Sequence, residues 1–93
     1  MDKNEARAIA EKDLEFYRAM SYEEIARKIG NAASFERVSE KGEKYQIEFD
    51  FFYDGFEETD IRVVGMVSYS LWTDFSPVSS DFIIAPDGTF VGE

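Results

Sequence analysis

Asp13 is the residue whose position most directly suggests chemistry. At about 100° per residue it falls inside the apolar stripe of an N-terminal helix, between Ala6 and Met20 on the wheel. A carboxylate among apolar side chains is desolvated, its pKa rises, and it can serve as a general base. The same position equally suits a structural acid at a helix–sheet edge, bonded to backbone or tyrosine hydroxyls. Four further carboxylates, Asp54, Glu57, Glu58 and Asp60, crowd one loop and could gather Ca²⁺. They lack the alternating ligand spacing and the glycine-then-glutamate placement of a calcium loop, so a solvated hairpin tip is expected, with no metal and no cofactor. Phe56 sits at that tip, where an exposed aromatic can anchor a partner. A third group, Phe52, Val64, Met66 and Trp72, shares one face of the predicted sheet with Glu48, Asp50 and Arg62. An apolar patch rimmed by acids suits a protein partner or a second copy of the chain, or it forms a small second core under the C-terminal strands.

Composition removes most other chemistries. The chain has 93 residues, with no cysteine and no histidine, so it offers no disulfide, no thiolate, no imidazole base and no usual transition-metal ligand. Its length suits a single domain. The formal net charge of -10 repels phosphate backbones and anionic lipid headgroups, which argues against nucleic acid and membrane partners. That charge is uneven: residues 1–30 carry a net of -1, residues 31–62 a net of -5 and residues 63–93 a net of -4. Twelve of the fifteen aromatic residues also follow residue 34, so aromatics and acids share the same region. Nucleic-acid binders interleave aromatics with lysine and arginine instead. Neither an apolar leader nor a long apolar run occurs, so a cytoplasmic location is expected.

These candidates must be positioned by a helical unit over 1–30 and a sheet over 33–93. Residues 3–20 carry an amphipathic stripe of Ala6, Ile9, Ala10, Leu14, Phe16, Tyr17 and Met20, opened by an Asp2–Glu5 capping box. Ser21 and Glu24 mark a second start, Met20 and Ile25 form a hydrophobic staple, and Gly30-Asn31 stops the short second helix. The period then changes from 3.6 to 2. Strands are expected over 34–39, 43–53, 61–72, 81–85 and 90–92. Tyr45, Ile47, Phe49, Phe51 and Tyr53 point one way in the second strand, matched by Ile61, Val63, Val67, Tyr69 and Leu71 in the third. Gly65, isolated in that third strand, predicts a bulge or bend. Turns are expected at 40–43, 74–77 and 86–89, and an acidic loop at 54–60. The result is an α+β fold, with two N-terminal helices packed on one face of a curved antiparallel meander of four to five strands.

The order of elements resembles small cystatin-like and nuclear-transport-factor-like architectures. From Phe51 onward, Asp54, Arg62-Val63, Gly65, Trp72, Phe75, Pro77 and the run from Phe82 to Glu93 resemble a family of short uncharacterised bacterial proteins, which also begin with a Ser-Tyr-Glu-Glu-like helix cap. The resemblance implies a bacterial cytoplasmic origin and transfers no activity and no site. The functional expectation is a non-enzymatic, acidic protein-binding module, immunity- or inhibitor-like, whose sheet half docks on a basic protein through Trp72, Phe56 and Met66. The alternative is a small-ligand-binding protein or enzyme with an interior pocket lined by Phe16, Tyr17, Phe49 and Asp13.

Overall fold

The change of hydrophobic period after residue 33 divides the chain into helices and sheet. The computed structural model describes residues 1–70 and 76–93. It contains two helices, α1 (Lys3–Arg18) and α2 (Tyr22–Ala26), followed by four strands, β1 (Ala33–Val38), β2 (Lys44–Tyr53), β3 (Ile61–Ser68) and β4 (Val78–Ile84). The strands make one antiparallel sheet in the order β1-β2-β3-β4, and α1 packs chiefly on β3 and β4. The fold is therefore α+β, a helix on a four-stranded open sheet.

Both helix starts form as their sequences dictate. The Asp2 carboxylate accepts from the Glu5 amide at 2.8 Å, and the Ser21 hydroxyl accepts from the Glu24 amide at 3.1 Å. Only half of the first capping box is made, because the Glu5 carboxylate turns to Lys41 instead of reaching back to residue 2. α1 ends at Arg18, two residues before the expected limit, so that Met20 can lead into the second cap. The buried residues of α1 are Ala6, Ala10, Leu14 and Tyr17. Phe16, expected on that stripe, is 66% exposed. It lies about 100° around the helix from Tyr17, which faces the sheet, so the two neighbours cannot both be buried there. α2 is one short helix, and Ile25 anchors it in the core.

The sheet buries the face that its alternation marks. Ile47, Phe49 and Phe51 of β2 join Ile61, Val63 and Val67 of β3 and Val78, Phe82 and Ile84 of β4 in one core beneath α1. Cross-strand register aligns them: Phe51 faces Val63, which faces Phe82, and Ile47 faces Val67, which faces Val78. The Tyr17 ring closes the cluster, 4.9 Å from Phe49 and 5.2 Å from Phe51. Gly65 makes neither bulge nor bend, since the β2–β3–β4 register runs through it without interruption. Its role is clearance: a Cβ there would lie 3.1 Å from the Phe49 ring and 3.5 Å from a Leu14 methyl.

The C-terminal half differs from expectation at its strand ends. β3 stops at Ser68 and β4 begins at Val78, while the expected strand over 90–92 is reduced to a single bridge between Ile84 and Phe90. The turn at 86–89 and the side chain of Arg18 explain that shortening. Asp87 accepts from the Thr89 amide at 3.0 Å and hydroxyl at 2.6 Å, which folds the chain back at once. Arg18 then stacks over Phe82 and Phe90, 4.8 and 4.9 Å from their centroids, and donates to Glu93 at 2.8 Å. The Thr89 hydroxyl holds the Asp87 carboxyl below its ordinary value, and Arg18 does the same for Glu93. Carboxyls lowered by folding contribute stability above their ordinary values, and that contribution fades as pH falls through the folded ones. No helix among the described residues is long and apolar enough to cross a membrane.

Candidate functional site

With α1 on one face, strand alternation sends every second side chain of β2, β3 and β4 to the other. Three cross-strand rows result: Glu48, Met66 and Ser79; Asp50, Val64 and Asp81; Phe52, Arg62 and Ile83. Phe52, Val64 and Met66 therefore do meet on one surface, flanked by Glu48 and Asp50. Phe52 is 43% exposed, whereas Val64 and Met66 are half-buried. Trp72, assigned to the same patch, lies outside the described residues, as do the end of the expected third strand and part of the turn over 74–77. Ile83 and Asp81 belong to the patch as well. The alternation of β4 carries that signal, because burying Phe82 and Ile84 turns residues 81 and 83 outward.

The electrostatics of this face follow from one guanidinium. Arg62 is the sole base in the three rows, and it is held between two acids, with Nε 3.1 Å from Asp54 Oδ1 and Nη1 bonded to Asp81. Those hydrogen bonds, Asp54 first, raise its pKa further despite partial desolvation. Arg62 thus offsets charge inside the face, and Glu48 and Asp50 give the surface its outward negative potential.

The acidic loop over 54–60 does not assemble a cation cage. Asp54 turns to Arg62, and among the described residues no three acidic side chains gather as metal ligands. Phe56 stands fully exposed at the loop tip. The Tyr22 hydroxyl donates to the Thr59 carbonyl, tying this loop to α2.

Asp13 lies at the margin of α1 facing β1, where its carboxylate pairs with Arg37 and its side chain is 22% exposed. It borders an open cleft of about 330 Å³ that also brings together Phe16, Tyr17, Phe35 and Phe49. The four residues of the pocket expectation are thus neighbours, but at an open edge of the fold. Burial raises the Tyr17 hydroxyl above its ordinary value of 10.0, Asp13 adding to the rise and Arg37 opposing it. A raised folded value means that the buried phenol stabilises the fold fully below about pH 10, and that this stabilisation is lost as pH climbs through the folded value. Thermal melts between neutral and strongly alkaline pH are expected to show this loss, and Tyr17→Phe is expected to flatten it. An alkaline decline of equal depth in the variant would assign it to other groups.

Among the described residues the reverse face offers apolar contact area and negative charge. Compared with family models, curated proteins and solved structures, the chain matches none.

Proposed function

We propose that the chain is a non-enzymatic protein-binding module whose reverse sheet face docks on a basic protein. The observation that carries this reading is that, among the described residues, the reverse face brings Phe52, Val64, Met66 and Ile83 together with Glu48, Asp50 and Asp81. Apolar side chains supply affinity once water is excluded, and surrounding acids select a positively charged partner and speed its approach. A second copy does not suit this face, because its acids would oppose their own kind. Phe56 at the adjoining loop tip extends the contact. The resemblance of the C-terminal run to short bacterial proteins supports a bacterial, cytoplasmic setting, and the acidic, apolar-centred face is what favours an immunity- or inhibitor-like role.

The test is comparative capture from a bacterial lysate with the native chain and a Glu48→Lys/Asp50→Lys variant. The reading requires a basic protein that the native chain retains, the variant loses, and added salt releases. Retention of the same proteins by both chains refutes it. Small-ligand binding in the α1–β1 cleft stands second. Phe16, Tyr17 and Phe49 line that cleft with Asp13, yet the carboxylate that would act there is already bonded to Arg37.

A further inference from the structure

The two edges of the sheet are treated differently. The outer edge of β4 is closed at one end by the C-terminal turn: Val91 donates to the Ile83 carbonyl at 2.9 Å, and Phe90 bridges Ile84. Among the described residues nothing pairs with the outer edge of β1. The hairpin bond from the Ser39 amide to the Glu43 carbonyl, 2.8 Å, sets the phase of that strand. In an antiparallel ladder the bonded pairs alternate, so residues 35 and 37 bond inward to β2. The backbone amides and carbonyls of Ser34, Glu36 and Val38 consequently point outward, a ready template for another strand.

Side chains beside this edge favour a particular occupant. Phe35 projects on the helix side and is 44% exposed, next to the open cleft lined by Phe16, Tyr17 and Phe49. On this side of the edge three bases, Lys12, Arg37 and Lys41, stand among three acids, Glu5, Asp13 and Glu40, so local charge cancels, and Glu36 on the other side of the strand is flanked by Lys44 of β2. A chain of net charge -10 repels its own copy, and it can approach itself only through a surface where charge is balanced. The reverse face is not such a surface; the β1 edge is.

We propose that two copies of this chain pair antiparallel through β1, centred on Phe35, to make one continuous eight-stranded sheet. In that register Ser34 of one copy opposes Glu36 of the other in bonded pairs, while the two Phe35 rings meet across the two-fold axis beside the clefts. The register centred on residue 36 would set the two Glu36 side chains against each other, which like-charge repulsion disfavours. The two-fold axis stands perpendicular to the sheet, so both reverse faces look the same way and remain free. The dimer is thus independent of the docking role proposed above and would make it bivalent.

Sedimentation equilibrium across a concentration series tests this. A reversible dimer is expected, with a Kd between about 1 μM and 1 mM. It should tighten as salt rises, because screening relieves the repulsion between two acidic copies. Binding of a basic partner at the reverse face should weaken with salt, so the two interactions carry opposite signs. Glu36→Pro removes only an outward amide, leaving the β1–β2 ladder intact, and Phe35→Lys sets two cations face to face; each is expected to weaken the dimer at least tenfold. Circular dichroism and melting of both variants confirm the fold, and should the proline variant unfold, Phe35→Lys decides alone. A native chain that stays monomeric throughout the series, or dimers that persist in a folded Phe35→Lys variant, overturns the proposal.

Discussion

Phe49→Ala is expected to lower folding stability by about 3–5 kcal/mol, the range for truncating a well-enclosed core phenylalanine. The ring is 1% exposed and lies against Tyr17, at a site where Gly65 alone leaves room for it. In a domain of this size each kcal/mol moves the melting temperature by about 4–8 °C, so the variant is expected to melt some 12–40 °C below the native chain. The converse change, Gly65→Val, overfills the same spot and is expected to cost about 1–3 kcal/mol, since its Cβ alone would approach the ring to 3.1 Å. Phe49→Leu combined with Gly65→Val should recover part of that loss, because the two sites share one space and their effects cannot simply add. Melts of the two single variants and the double variant, followed by circular dichroism, check this. Strict additivity would mean that Gly65 is small for some reason other than Phe49.

Replacing both Glu48 and Asp50 with lysine is expected to weaken binding to the captured basic partner by about 100-fold, while stability moves by roughly 0.5 kcal/mol or less per site. Charge reversal acts mainly on the association rate, because long-range attraction is exchanged for repulsion. Phe52→Ala should act differently. It removes the most exposed large apolar side chain of the three rows and is expected to cost about 2 kcal/mol or more, some thirtyfold, seen mainly in faster dissociation. Surface-binding kinetics at two salt concentrations separate these effects: the lysine variant should lose most of its salt dependence, and the alanine variant should keep it. A lysine variant with unchanged association rate would remove the electrostatic half of the proposal.

Much of the fold was legible because short-range rules and burial point the same way. Asp2 and Ser21 cap the helices they precede, and the alternation of Ile47, Phe49 and Phe51 selects the buried face of β2. Where the reading missed, tertiary contacts had decided the outcome. Gly65 suggested a bend because its local signal is the same whether the backbone kinks or a distant ring needs space, and the Phe49 ring is sixteen residues away. The last strand shrank to a bridge because Arg18, from the other end of the chain, stacks on Phe90 and bonds Glu93. Asp13 drew attention through its wheel position, yet a wheel cannot show that β1 leaves that flank of α1 open to Arg37. On the candidate face, parity alone placed Phe52, Val64, Met66, Glu48 and Asp50 together. Ile83 and Asp81 needed the β3–β4 register, and the clamping of Arg62 by Asp54 and Asp81 needed side-chain geometry.

The most direct measurement is chemical-shift mapping of the isotope-labelled chain on addition of the captured basic partner. Docking at the reverse face predicts that the largest changes fall on Glu48, Asp50, Phe52, Val64, Met66, Asp81 and Ile83, with Phe56 at the rim and the exposed face of α1 unaffected. Changes concentrated on α1, or on the cleft around Asp13 and Phe35 with the reverse face silent, would contradict it.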